Sequence, residues 1–397
     1  MSQNKTASLG VTPASILKKN VMLIVLVLVY CVFAVWTRGG IFEPMQFTNL
    51  ITQNAYVYIL ACGMLMCMLT GGNIDLSCGS FVCLTASIGA LMMVNYGVNT
   101  WVTMAVMLLI GVVYGCVLGF LIAYVNIPPW IATLAGYLAF RGLGTSILSK
   151  SSDTNSISVN QIKSFTNIFS GQIFKTKASE FNWVCMIVGI AAAVLVVAII
   201  FVNRSSRIKK GYEADSMGMA AGKSALGAAA ILLVMWKLAQ NQGIPVLLVW
   251  VTVIVLFYSF ITSKTTIGRH FYVVGGNMEA ARLSGVNTHM IMFTAYLNMA
   301  IITVISSWTM LAKLRAASST MGTGYEMDAI AACVVGGVSA SGGAGSIIGM
   351  VIGATLIGVI NLGMNLVGID ANFQKVVKGV VLLAAVAFDI LSKKKQS

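Results

Sequence analysis

The chain is 397 residues long, 58% apolar and only 9% charged, with a formal net charge of +14 from 25 Lys and Arg against 11 Asp and Glu. Soluble domains carry about 25% charged residues, so this composition cannot cover a water-facing surface, and it excludes disordered and collagen-like chains as well. The basic residues fall in short clusters between apolar blocks, so the positive balance reads as membrane topology, with lipid as the surroundings, and not as nucleic-acid binding.

A spanning helix needs about 20 mostly apolar residues, with its backbone polar groups paired inside the segment. Twelve blocks qualify as candidates: 21–37, 48–69, 76–95, 101–124, 130–149, 182–202, 225–241, 245–263, 290–311, 327–338, 346–367 and 373–391. The tenth is too short to cross alone and reads as a broken helix or half of one. The expected fold is an all-α, polytopic transmembrane bundle of about 10–12 spans with an internal pseudo-repeat. The first block follows Lys18 and Lys19 and ends at Trp36-Thr37-Arg38 without a small-residue cleavage pattern, so it reads as an uncleaved anchor.

Loop charges set the orientation. With the N-terminus inside, the inner segments hold Lys5, Lys18, Lys19, Arg204, Arg207, Lys209, Lys210, Lys223, Lys264, Arg269, Arg282 and Lys393 to Lys395. Those fourteen oppose seven outside: Arg38, Lys150, Lys163, Lys175, Lys177, Lys313 and Arg315. Both termini are expected in the cytoplasm, as a tail over 1–20 and a basic tail over 392–397, flanking a permeation domain over 21–391. Within that domain, 150–181 is an outer polar loop long enough for a small cap, while 203–224 and 264–289 are basic inner loops.

Glycines add a second layer. Gly111, Gly115 and Gly119, like Gly345, Gly349 and Gly353, recur every four residues, a spacing that lets helix backbones approach closely in lipid. Residues 70–80 (TGGNIDLSCGS) echo 336–346 (GGVSASGGAGS), each a glycine pair and a polar stretch ending in Gly-Ser before an apolar helix. Such duplicated, glycine-interrupted segments point to a transporter's working core.

Asp75 is the outlier among the acids, because a carboxylate between apolar blocks is costly unless solvated or paired. It either caps the following helix or shapes a path with Asn73 and Ser77. Ser339 and Ser341 are the matching path candidates in the second segment. Asn54 and Asn298, with Gln53 and Asn361, are weaker ones that also suit interhelical hydrogen bonds. The eight cysteines (Cys31, Cys62, Cys67, Cys78, Cys83, Cys116, Cys185 and Cys333) lie in or beside apolar stretches without ligand spacing, so packing is expected and no metal site or cofactor. Residues 217–224 (MGMAAGKS) nearly spell a phosphate loop but lack its first glycine and a preceding strand. Glu326 and Asp328 do not face each other at i and i+2 on a helix. No catalytic set converges, so no enzymatic activity is expected.

The segment 264–289 sharpens the reading. After the pair Gly275-Gly276, Glu279-Ala280-Ala281-Arg282-Leu283 is a short helix former with Gly285 as its stop, suited to docking in a partner's groove. Here GGNMEAARLSG resembles the coupling-loop motif of the ribose/xylose-type permeases of bacterial ABC sugar importers. LTGGNIDLSCGS (69–80) and GTGYEMDAIAACVVGGVSASGGAGSIIG (322–349) resemble two further signatures of that family. The likeness covers roughly 45–390, and the hairpin at 225–263 looks closest to its xylose or multiple-monosaccharide branch. Asn73, Cys78 and Met278 depart from the usual pattern.

The resemblance implies a permease subunit in the bacterial cytoplasmic membrane that imports a monosaccharide such as xylose, ribose or galactose. It implies a homodimer, a cytoplasmic ABC ATP-binding subunit and an extracytoplasmic sugar-binding protein as partners. Gly275, Gly276, Asn277, Glu279, Ala280, Ala281, Arg282 and Gly285 would form the loop that touches the ATPase, and segments 70–80 and 336–346 would flank the path. The alternative is an ion-coupled secondary transporter of small polar solutes, which calls for intramembrane ionisable residues beyond Asp75 and Arg141.

Overall fold

Ala55–Leu69 is apolar on every side, and a helix of that kind belongs in the middle of a bundle. In the computed structural model, which describes residues 21–176, 180–212, 214 and 216–394, all fifteen of its residues are buried. The expected tail 1–20, Lys177 and the end of the basic tail from Lys395 lie outside the described residues.

In chain order the helices are α1 (Val21–Trp36), α2 (Pro44–Gln53), α3 (Ala55–Leu69), α4 (Cys78–Ala90, prolonged by a π-helical turn Leu91–Asn95), α5 (Thr100–Ala123) and α6 (Pro129–Ser151). The short α7 (Lys163–Phe169) precedes α8 (Trp183–Lys209), α9 (Met217–Ala239) and α10 (Val246–Lys264). Then come α11 (Thr266–Gly276), α12 (Met278–Leu283), α13 (Thr288–Leu314), α14 (Tyr325–Val335), α15 (Ile347–Val367) and α16 (Ala371–Lys394). Among the described residues, nine helical stretches are long and apolar enough to cross a membrane, with α2 and α3 forming one of them. The protein is a polytopic helical bundle.

Three boundaries differ from the sequence reading. The second block breaks at Asn54, whose side chain turns back to the Leu50 carbonyl (2.9 Å) and so bends the path between α2 and α3. The segment 203–224 is mostly helix, not loop. Helix α8 runs on to Lys209 because long basic side chains are good helix formers, and α9 starts at Met217 under the cap of Ser216, whose hydroxyl accepts the Met219 N–H. The phosphate-loop look-alike is therefore the first two turns of a helix. The segment 264–289 likewise folds into α11 and α12.

Helix α13 is 27 residues long, about 40 Å at 1.5 Å per residue, and ties the two ends of the bundle together. At its start lies α12. At its finish β4 (Ala316–Ser318) pairs antiparallel with β1 (Ser156–Ser158), and β2 (Gln172–Ile173) pairs with β3 (Ile244–Pro245). These pairs and α7 form a cap over 150–181, pinned where Trp250 donates its indole N–H to the Ile168 carbonyl (2.9 Å). Phe165 and Phe169 of α7 are among its buried side chains.

Gly111, Gly115 and Gly119 do bring α5 onto α13: added Cβ atoms there would strike Val304, Ala300 with Leu297, and Phe293. Gly349 and Gly353 do the same for α15 against the Gly336 and Ala332 carbonyls. Gly345 departs from the expected helix face. It precedes the cap residue Ser346 in extended chain, with φ +156°. All eight cysteines are free thiols, and six are buried.

Candidate functional site

Helix α11 begins under Thr265, whose hydroxyl accepts the Gly268 N–H at 3.0 Å, and ends at Gly275-Gly276. Asn277 then caps α12 by accepting the Ala280 N–H at 2.9 Å. Gly285 closes α12 in the left-handed region (φ +82°), where a side chain would be strained, and its N–H bonds the Arg282 carbonyl. Glu279 and Arg282 pair at 2.6 Å on the outer face, each side chain 65% exposed. Ala281 is fully buried as the anchor, whereas Leu283 is 80% exposed. The six-residue helix thus presents one ion pair and uncovered apolar surface on a rigid mount.

That mount joins both echoing segments. The stretch 70–77 links α3 to α4 and the stretch 336–346 links α14 to α15, and the two meet backbone to backbone. The Gly343 N–H donates to the Leu69 carbonyl at 3.1 Å. A Cβ at Gly72 would strike the Ala340 carbonyl, and one at Gly342 would strike the Gly71 backbone (2.9 Å from its carbonyl carbon). Gly275 enters the same junction, since a Cβ there would strike the Leu69 carbonyl and the Gly343 nitrogen (2.6 Å). Tyr272 adds a bond from its hydroxyl to the Gly345 carbonyl (3.1 Å), and burial raises its pKa, which keeps it a donor at neutral pH. Three chain segments far apart in sequence, around Leu69, Gly275 and Gly343, thus touch through main chain. The main chain leading into α12 contacts both breaks with no side chain between them.

The predicted path residues fall into separate places. Asp75, 1% exposed, accepts the Ser77 N–H (2.8 Å) and hydroxyl (2.5 Å) through one oxygen, and Ser77 lies 2.7 Å from the Tyr114 hydroxyl. Ser77 is the residue preceding α4, so Asp75 shapes the turn one step before the helix. Asn73 holds its own loop, donating to the Thr70 carbonyl (3.1 Å) and contacting the Met292 sulfur (3.4 Å). Ser339 and Ser341 bond each other at 3.0 Å. Asn54 accepts from Asn361 (3.2 Å) and Asn298 accepts from the Tyr258 hydroxyl (2.6 Å), both between helices. Gln53 is exposed.

A second polar centre escaped the sequence reading. Helix α14 spans about 16 Å, half of the hydrocarbon thickness, and its first turn carries Glu326 and Asp328, 4% and 2% exposed. Asp328 accepts from the Tyr56 hydroxyl (2.5 Å) and the Lys378 ammonium (2.9 Å) through one oxygen. Glu326 lies against Gly79 in the first turn of α4, where a Cβ would collide with its carboxylate. Arg141 on α6 fixes the chain leading into α14, donating to the Ser319 (3.2 Å) and Met321 (2.8 Å) carbonyls. The first turns of α4 and α14 therefore meet inside the bundle. Carboxylates inside an apolar segment are the signal that could have marked this centre. The partners of Asp328 stand 50 and 272 residues away, so sequence spacing hid its compensation.

Residues 46–386 match the family described as branched-chain amino acid transport system / permease component. The chain is similar to the xylose transport system permease protein XylH of Haemophilus influenzae, with 33% identity over 96% of this chain and 98% of the relative. The XylH of Escherichia coli is 32% identical over 94% and 92%. The ribose import permease protein RbsC of Escherichia coli is 30% identical over 95% of both chains. No solved structure matches.

Proposed function

The chain belongs to the branched-chain amino acid transport system / permease component family, and from that premise we propose that it is the membrane-spanning subunit of an ATP-driven importer for a monosaccharide of the pentose class. The relatives named for xylose and ribose support the substrate class. The observation that carries the mechanism is the junction of Gly275, Leu69 and Gly343, which ties the exposed α12 to both broken segments.

In this reading α12 lies in the cytoplasm, both termini are cytoplasmic, and the β1–β4 cap faces the exterior of the bacterial inner membrane. A cytoplasmic ABC ATP-binding subunit grips Glu279, Ala280, Arg282 and the apolar Met278 and Leu283. An extracytoplasmic sugar-binding protein delivers the solute, and a second copy of the chain completes the passage. ATPase closure pushes α12, and the push moves 70–77 and 336–346 together, rocking the helices that they join between outward and inward states. Asn73, Asp75, Ser77, Ser339 and Ser341 serve as the moving joint. Asn54 and Asn298 hold helix pairs together. The chain supplies the gate, and its partner supplies the ATPase activity.

Replacing Glu279 and Arg282 with Ala tests this directly. The pair is exposed and stabilises the helix by only about 0.3–0.5 kcal/mol, so insertion and thermal stability should hold while ATP-driven uptake collapses. Normal uptake by the double variant would overturn the assignment of α12 as the coupling element.

A further inference from the structure

Helices α6, α14 and α16 enclose a cavity of about 590 Å³, within the roughly 300–1,000 Å³ of small-molecule sites. Tyr137, Thr323, Glu326, Gln374, Lys375 and Lys378 line it. In a chain with only 9% charged residues this concentration is unusual. Polar and charged groups do not rest against lipid tails, so this face meets the headgroup region, water, a solute or a second copy.

The chemistry favours a neutral, hydroxyl-rich solute. Lys378 is held by Asp328 at 2.9 Å and Lys375 shares the cavity with Glu326, so charges of both signs stand side by side there and do not form a purely cationic anion site. Glu326 is 4% exposed, and one of its carboxylate oxygens has no hydrogen-bond partner among the described residues. Asp328 has such an oxygen too. Both orphan oxygens are closed off, that of Glu326 lying against Gly79, so a solute hydroxyl would meet the cavity-facing side of Glu326. Tyr137 adds a half-buried aromatic ring on which the C–H face of a sugar can lie. The cavity sits beside the first turns of α14 and α16, and in α16 these lie toward the bundle end opposite α12.

We propose that this cavity is the station that receives the monosaccharide on the outer side of the bundle, with Glu326, Lys375 and Gln374 bonding its hydroxyls and Tyr137 packing on its ring. The assignment rests on the permease reading above and adds a binding site to it.

The test uses the complete importer, with its ATP-binding and sugar-binding partners, in proteoliposomes supplied with D-xylose or D-ribose. In Tyr137→Ala and in Lys375→Met the sugar delivered per ATP hydrolysed falls by about tenfold, the size of one lost ring or polar contact. Tyr137→Phe, which keeps the ring, recovers most of it. In parallel, Lys375→Cys is labelled from outside by a membrane-impermeant thiol reagent, measured against the wild-type chain, and the loaded sugar-binding protein slows the labelling. Wild-type sugar-per-ATP ratios in both Tyr137→Ala and Lys375→Met overturn the site. So does a Lys375→Cys chain that resists labelling, as a face covered by lipid or by a second copy would. A wild-type complex that moves neither pentose refutes the permease reading instead, so the two failures are told apart.

Discussion

Gly275→Ala probes the junction most sharply, because the neighbouring glycine supplies the control. An added methyl at Gly275 would overlap the Leu69 carbonyl and approach the Gly343 nitrogen to 2.6 Å, the two groups that bond each other at 3.1 Å. Both obstacles are main chain and cannot rotate away. Overpacking of this kind costs about 1–3 kcal/mol, and loss of the Gly343–Leu69 bond adds about 0.5–1.5 kcal/mol. The chain can escape that cost by letting α11 pull away from the two segments. At about 1.4 kcal/mol per tenfold change, losing 2 kcal/mol of junction energy weakens the mechanical link more than tenfold. Gly276 has open space where its Cβ would be and a φ outside the left-handed region, so Gly276→Ala should change stability by no more than about 0.5 kcal/mol. Thermal unfolding in detergent and ATP-driven uptake in vesicles read the two effects. Gly275→Ala should lose uptake and some stability while Gly276→Ala keeps both. Equal behaviour of the two variants would refute the argument from backbone contact.

Two further substitutions test buried charge. Lys378→Met strands the carboxylate of Asp328 and should destabilise by about 3–5 kcal/mol in thermal or denaturant unfolding, whereas adding Asp328→Asn to it should restore much of the loss; no recovery in the double variant would show that the pair is not the compensating interaction. Asp75→Asn keeps an oxygen that can accept from Ser77 but removes the charge, so stability should fall by about 1 kcal/mol with uptake retained; lost uptake at unchanged stability would assign the carboxylate a direct part in passage.

Much of this architecture was legible in the chain itself. Apolar run length located the spans, because a membrane leaves the backbone no other way to satisfy its polar groups. The block at 327–338 was too short to cross alone, which left a broken helix or half of one, and α14 there is eleven residues long. The glycine echo marked two breaks that meet in space, since only glycines tolerate main chains at such close range. Other features depended on tertiary partners that no local pattern reveals. Asn54 bends a helix pair by bonding Leu50 and then holds Asn361, 307 residues on. The basic run Arg204–Lys210 looks like a loop by charge yet extends α8, because long solvated side chains lie comfortably along a helix leaving the membrane. Glu326 and Asp328 were set aside for lacking mutual geometry, and that geometry holds: Asp328 turns to Tyr56 and Lys378, and Glu326 to Gly79. Their role in the bundle comes from other helices.

The central claim is that the gate has no power source of its own and is driven through α12. Vesicles holding the purified chain alone, and vesicles holding it with its ATP-binding and sugar-binding partners, should be compared for uptake of labelled D-xylose and D-ribose under a proton or sodium gradient and with internal ATP. Accumulation only in the complete assembly, only with ATP, is the expected result. Concentration of either sugar by the isolated chain against an ion gradient would contradict it.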